Sequence, residues 1–454
     1  MVEVMVTVGS DVGVGFLDLD DVSDEDLELR EQAHRIARDV LRPAASELDR
    51  MEPEARILPG SPFHEAMSQL KQLGFHRLFL APEYSGLPTT VSAIGQAMVL
   101  EELGWGSLGL TTSFLTDMLP FVSIALFGGD RLKADVLEPW IEDVDGRFRG
   151  CWAITEPDHG SDFLSLREYA GVEIPRGQLV AERSTDGWVL RGQKSAWVSS
   201  GPVATHAAVH AQCGSSGDLI HGLYAVVPLE VVGVRKGRPA DMLGVRDDPQ
   251  GEIYFDDVFV PDENVLISSD PFYMVFGDQL LCLTSSTLAP VAVGLARAAF
   301  EEALVHARSR VQGGRPISDH KNIQLTLYSM FEKVETARAY SRRVYEHVRR
   351  ASLVGLNGES GQDSIQRGGA SPRHARAAQI FTKRCAFEVA HDAVQVCGAF
   401  GLSRDSLTEK LFRDARCLMI EDGTLEVLGI DAARDLVSNY ESSEYGIEEV
   451  MAQW

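Results

Sequence analysis

A chain of 454 residues is too long for one compact core and predicts two or three domains. Its 44% apolar and 24% charged residues are those of an ordinary globular protein able to bury a large core. A formal net charge of −25 argues against nucleic acid and against an anionic membrane surface as partners.

The N-terminal stretch MVEVMVTVGSDVGVG carries Glu3 where a signal peptide has Lys or Arg, and no long apolar core, which predicts a cytoplasmic protein. Gly13-Val14-Gly15 lacks a third glycine and is a poor match to a dinucleotide fingerprint. From about residue 24 to 145 the pattern is helical. Asp24-Glu25-Asp26 offers a capped, acidic first turn, and Leu27, Ala33, Ile36, Ala37 and Val40 recur at helical spacing. Further helices are predicted around residues 63–73, 90–103 and 130–144. Residues 108–127 are the most apolar stretch, but Asp117 and Pro120 interrupt it, so it reads as packed helix rather than membrane span.

From about residue 150 to 268 the texture changes to short strands. Residues 179–183 and 188–192 flank Asp186-Gly187, the strongest hairpin signal in the chain, and 207–212, 223–227 and 252–255 continue the pattern. From about 278 to 437 the helical period returns, with long amphipathic helices at 291–310 and 381–397. Between them, residues 353–372 are rich in Gly, Ser and Gln and predict an exposed, mobile insertion. The expected domains are 1–149, 150–268 and 269–454. Six scattered cysteines without a C-x-x-C pair predict free thiols. His206 and His210 share a strand face but have no third ligand, and read as ordinary strand residues.

Chemistry concentrates in six segments. Thr155-Glu156-Pro157-Asp158-His159-Gly160-Ser161-Asp162 fits T-E-P-x-x-G-S-D, and Gly192–Gly201 fits G-x-K-x-W-I-[ST]-N-G with one inserted residue. Phe255–Pro261 fits F-x-D-V-x-V-P, and Gln395–Gly401 fits Q-x-x-G-G-x-G. Phe412-Arg413-Asp414-Ala415-Arg416 fits [YF]-R-D-[AS]-[KR], and Asp422-Gly423-Thr424 stands in the place of E-G-T. Together, in this order and over roughly residues 24–440, they resemble the acyl-CoA dehydrogenases.

The resemblance implies an α+β fold: an N-terminal helical domain, a central antiparallel β-barrel or sheet, and a C-terminal four-helix bundle. It implies FAD as cofactor. By resemblance Ile154 and Thr155 contact the pyrimidine side of the flavin, Trp197 packs on the ring, and the Ser199 hydroxyl reaches the N5 region. Read alone, the last two are a sheet-core tryptophan and a turn serine. Ser161 falls beside the flavin and the nucleotide end of a thioester substrate, with an N-cap or turn serine as its alternative. Arg310, Gln395, Gly398 and Thr424 fall on positions for the adenine half, built partly by a neighbouring subunit, which implies a homotetramer or dimer. The cofactor set carried over also takes in Gly160 and Glu426.

Four positions depart from the family. The usual catalytic Glu is Asp422, which reaches about 1.5 Å less, with Glu421 beside it as a second carboxylate. A solvated surface Asp is the bland alternative. The position from which some members take their base instead is Thr284, and that route is closed. Cys282 and Ser285 stand where many members carry the Asp and Arg that hold acyl-CoA. Residues 310–314 lack an aromatic of R-x-x-F-G, and Gly429 replaces an arginine that often supports the base, which predicts a raised Asp422 pKa. The leading expectation is α,β-dehydrogenation of an acyl-CoA or carrier-bound thioester, with Asp422 as base and an electron-transferring flavoprotein as acceptor. The alternatives are a nitroalkane oxidase-like flavin oxidase or monooxygenase acting on a non-thioester, and a degenerate homologue that keeps FAD as a structural ligand.

Overall fold

The computed structural model describes residues 22–80, 84, 91–163, 175–213, 221–268, 272–351, 370 and 372–439. Gly13-Val14-Gly15 lies outside them, as does nearly all of the predicted insertion at 353–372.

The N-terminal third is helical. Helix α1 (Asp24–Ile36) is capped by Ser23, whose hydroxyl accepts from Asp26 N, and Asp24, Glu25 and Asp26 form the acidic first turn expected of them. Asp26 in turn accepts from Ser92, the N-cap residue of α3 (Ala93–Gly106), and so ties two helix starts together. Between them lies α2 (Pro62–Gln72), and after them α4 (Leu108–Phe127). The single helix expected over 130–144 is broken into three short pieces by a π-turn at Lys133–Leu137.

The middle region forms one eight-stranded sheet. Its strands are β1 (Gly150–Ala153), β2 (Val180–Arg183), β3 (Gly187–Lys194), β4 (His206–Cys213), β5 (Gly222–Pro228), β6 (Val234–Lys236), β7 (Ile253–Pro261) and β8 (Val265–Ile267). The expected hairpin joins β2 to β3, with Arg183 opposite Trp188. Most pairings are antiparallel, but β1 and β2 both run parallel to β4. They occupy one edge of β4 in succession, β1 along His206–Val209 and β2 along Gln212–Cys213. The chain therefore leaves the sheet after Ala153 and rejoins the same edge later, and the Ile154–Asp162 segment starts at that exit.

Helices return with α5 (Phe272–Ser309), α6 (Lys321–Ala351) and α7 (Pro372–Cys397), which pack on one another. Two shorter helices, α8 (Leu407–Leu418) and α9 (Leu425–Asn439), pack on α7. Both α4 and α5 are apolar enough to cross a bilayer by length, yet 61% and 89% of their most apolar windows are buried inside the protein. Helices α3 and α5 cross at near-contact. A Cβ on Gly294 would fall 2.1 Å from Glu101 O, and one on Gly104 would fall 2.3 Å from Val291 O, so only glycine fits. Beside the crossing, buried Arg297 pairs with Glu101 and Glu102, locking the first and last thirds of the chain together. None of the six cysteines forms a disulfide.

Candidate active site

The segment leaving β1 is pinned from below. Lys194, at the end of β3, donates to Ile154 O and to Glu156 Oε1, each at 2.9 Å, and both charged side chains are fully buried. The Glu156 carboxylate also accepts from the backbone N–H groups of Gln178 and Leu179. One carboxylate thus ties the exit of the loop at Glu156 to its return at Gln178 and Leu179. Thr155 meets Ser195 by hydroxyls 2.6 Å apart. Gly160 has nothing within 4 Å of where a Cβ would sit, and Ser161 Oγ accepts from Thr424 N at 3.2 Å. Ser161 opens a short 3-10 turn at 161–163, as its turn reading has it, and its hydroxyl reaches across to the start of α9.

Beyond Lys194 the chain turns back, and this turn presents Trp197 with 60% of its surface exposed. The sheet-core reading of Trp197 is therefore wrong. A large indole left open two residues from Ser199, on the turn whose Ser195 meets Thr155, suits a flat aromatic ligand with a polar edge. Behind it, Ser199 donates to Asp248 Oδ2 at 2.6 Å. Asp248 also accepts from Ser113 at 2.7 Å and from Gln250 at 3.1 Å. Burial lifts Asp248 to about 6, against the pull of these three donors and helped by the charge of Asp247.

The opposite wall is the turn between α8 and α9. Asp422 takes a left-handed conformation with φ +52°, which Asp tolerates better than Glu because its short side chain bonds locally. One face of α7 meets this turn with three residues at helical spacing, Arg376, Gln379 and Lys383, all fully buried. Gln379 Nε2 donates to Asp422 Oδ2 at 2.7 Å and to Asp422 O at 3.0 Å. Lys383 Nζ donates to the carbonyls of Glu421 and Gly423. Arg376 donates to Leu281 O and to Ser285 Oγ at 2.7 Å, and pairs with Asp431. Asp422 is thus half-buried and held against α7.

Asp422 is raised above the ordinary carboxylate range, as expected, and burial is the cause. The expectation that it lacks a nearby cation fails: Lys383 and Arg376 pull the other way, supplied by α7 rather than by position 429. Glu421 points elsewhere. Burial and the Asp248 charge lift it to about 8, and its carboxylate accepts from Gln250, the amide that also serves Asp248. That shift favours its protonated form at neutral pH. Next to this wall lies a cavity of about 20 Å³ lined in part by Trp152, Ile154, Phe163, Tyr273 and Leu281, room for little more than one water.

The remaining expected cofactor residues divide. Thr424 belongs to this cleft, whereas Glu426 sits exposed on the first turn of α9. Arg310, Gln395 and Gly398 are exposed at the far end of the bundle, where His306 stacks on Phe400. Along α5 that end is about 40 Å from Leu281, at 1.5 Å per residue. One chain does not bring the two groups together. Ser113, Asp248, Gln250, Arg376, Gln379 and Lys383 were not anticipated. A stripe of Arg, Gln and Lys at helical spacing on the buried, alanine-rich face of an amphipathic helix was the available signal for the last three.

Comparison with known proteins agrees in order and extent. "Acyl-CoA dehydrogenase, N-terminal domain" matches residues 23–143, "middle domain" residues 151–258 and "C-terminal domain" residues 284–437. The chain is 28% identical over 421 residues to a benzylmalonyl-CoA dehydrogenase of Aromatoleum aromaticum, covering 92% of this chain and 99% of that one. It is 26% identical over 417 residues to a cyclohexane-1-carbonyl-CoA dehydrogenase of Geobacter metallireducens, covering 91% and 98%. Its fold is similar to that of a nitroalkane oxidase crystallised with 1-nitrooctane, with a TM-score of 0.79 at 20% identity over 95% of this chain and all of the other.

Proposed function

This chain belongs to the acyl-CoA dehydrogenase family, whose members are FAD-dependent oxidoreductases, and from that premise we propose that it removes an α-proton and a β-hydride from an acyl thioester, with Asp422 as the base. The observation that carries this reading is the Asp422 carboxylate held by Gln379 at 2.7 Å, on a turn that Ser161 fastens to the Thr155 segment. Base and candidate cofactor wall thus face one cleft.

Thr155, Ser161, Trp197 and Ser199 would hold the flavin in that cleft, and bound FAD supplies the acceptor for the departing hydride. Asp422 takes the α-proton. Gln379 fixes the direction of its carboxylate, while Lys383 and Arg376 keep a buried acid ionised often enough to act. Glu421 holds its own proton and stands aside. Arg310, Gln395 and Gly398 serve the adenine half in a neighbouring subunit, since about 40 Å of helix separates them from this cleft. That makes the enzyme a homo-oligomer in which FAD occupancy and assembly are linked. An electron-transferring flavoprotein is the fitting acceptor, and six cysteines without a disulfide suit a reducing cytosol.

A second reading, an oxidase acting on a non-thioester carbon acid, is favoured by one observation. Cys282 and Ser285 are buried and uncharged, and Ser285 is occupied by Arg376, so neither offers an ionic contact to a nucleotide. An anaerobic flavin-bleaching panel over CoA thioesters, carrier-bound thioesters and nitroalkanes, repeated in air, separates the two. Bleaching by a thioester with slow reoxidation in air is expected. Bleaching by a nitroalkane alone, with rapid peroxide release, overturns the thioester assignment.

A further inference from the structure

Ser199 is not free to turn. Its hydroxyl donates to Asp248 Oδ2 at 2.6 Å, and a backbone bridge to Gln250 holds the residue itself in place. Asp248 is 2% exposed, and its donors are two hydroxyls and an amide, Ser199, Ser113 and Gln250. Ser113 is itself 2.9 Å from the Ser200 hydroxyl, so the cluster is closed on the protein side.

An ionised carboxylate can only accept, so its charge dictates the direction of every hydroxyl around it. With Asp248 ionised, the Ser199 proton points into the protein and only oxygen lone pairs face the cleft. With Asp248 protonated, the acid can donate to Ser199 and the Ser199 proton is released to the cleft. The charged groups around this centre are committed elsewhere. Asp247 pairs with Lys410, which also pairs with Asp414, and Glu421 shares the Gln250 amide while Lys383 holds the Glu421 carbonyl.

We propose that Asp248 is a positioning residue that sets the hydrogen-bonding sense of Ser199 toward the flavin, making Ser199 an acceptor whenever the carboxylate is ionised. The inference rests on the placement of Trp197 and Ser199 at the flavin. Oxidised flavin N5 only accepts, whereas the reduced ring carries a proton there. A Ser199 fixed as acceptor mismatches the first and matches the second, and so favours the reduced cofactor. Since burial lifts Asp248 to about 6, the preference switches on as pH rises through that value.

The test is a redox titration of the FAD-loaded protein at pH 5 and pH 8, for the parent, Asp248→Asn, Ser199→Ala and the double variant. The parent should favour the reduced cofactor at pH 8 about tenfold beyond the ordinary proton-coupled slope, or about 30 mV for a two-electron couple. That excess should vanish in all three variants, and the two single effects should not add. An excess that persists in Ser199→Ala shows Asp248 acting as a bare charge and overturns the proposal, as does a parent with no excess. If Asp248→Asn does not fold, the parent and Ser199→Ala still decide. A different failure is separable: Ser199→Ala and Trp197→Ala variants that both keep the parent's FAD absorbance and affinity remove the flavin placement on which the proposal stands.

Discussion

Gln379→Leu tests how Asp422 is held. The substitution keeps the volume of the side chain but removes the amide that donates to Asp422 Oδ2 at 2.7 Å and to Asp422 O at 3.0 Å. A hydrogen bond to a charged acceptor contributes about 1.5–3 kcal/mol, which is about 10- to 150-fold in the ratio of ionised to protonated Asp422. Because burial already raises Asp422, the lost donor shifts the carboxyl further toward its protonated, inactive form. Anaerobic stopped-flow bleaching, followed from low to high pH with the substrate found in the panel, should show its largest loss, up to roughly ten- to a hundredfold, at the acid end. The loss should shrink as pH rises and Asp422 ionises regardless. An unchanged rate, or a loss of equal size at every pH, would leave Gln379 a packing residue and refute the reasoning.

Other changes follow from the same geometry. Glu421 titrates near 8 when folded, so between its ordinary range and about 8 the folded protein holds a proton that the unfolded chain has released. Stability attributable to it therefore falls as pH rises through that window. Glu421→Gln should gain relative to the parent in urea midpoint at pH 8.5 compared with pH 5, and should still bleach. Lys194→Met leaves Glu156 buried without its cation and should cost about 3–5 kcal/mol, seen as a lower melting temperature and easier loss of FAD. Adding Glu156→Gln should restore part of it; a single variant as stable as the parent would show that the pair does not hold the loop. Trp197→Ala removes a 60% exposed indole, so the melting temperature of the FAD-free protein should barely move. FAD affinity by equilibrium dialysis should weaken by about three- to tenfold, the worth of one aromatic stacking contact. An unchanged affinity would take Trp197 out of the site.

The segments legible in the sequence are those whose chemistry is local. Residues 154–162 carry their own turn, glycine and hydroxyls, and the Asp186-Gly187 hairpin is set by backbone preference at a short loop. The helices expected at 291–310 and 381–397 declare themselves by period and fall on α5 and α7, whose starts lie further upstream. What escaped the sequence was contact across the chain. Gln379 reaches Asp422 over 43 positions, and Ser113 reaches Asp248 over 135, with no local pattern marking either pair. The absence of arginine at 429 suggested a base without a cation, but α7 brings Lys383 and Arg376 to bear on Asp422. Charge missing at one position was supplied from another helix, and only packing reveals that. The parallel entry of β1 and β2 onto β4 was equally hidden, because strand direction depends on where the intervening loop rejoins the sheet.

The central claim is that Asp422 is the base, and Asp422→Asn tests it most directly. Asn is also tolerated at φ +52° and keeps the shape of the carboxylate, so the turn and the FAD site should survive the change. With FAD occupancy verified by absorbance, single-turnover bleaching by the best substrate should fall by at least about 10²–10⁴-fold, the usual contribution of a positioned base. An Asp422→Asn protein that bleaches its flavin at the parent's rate would contradict the account.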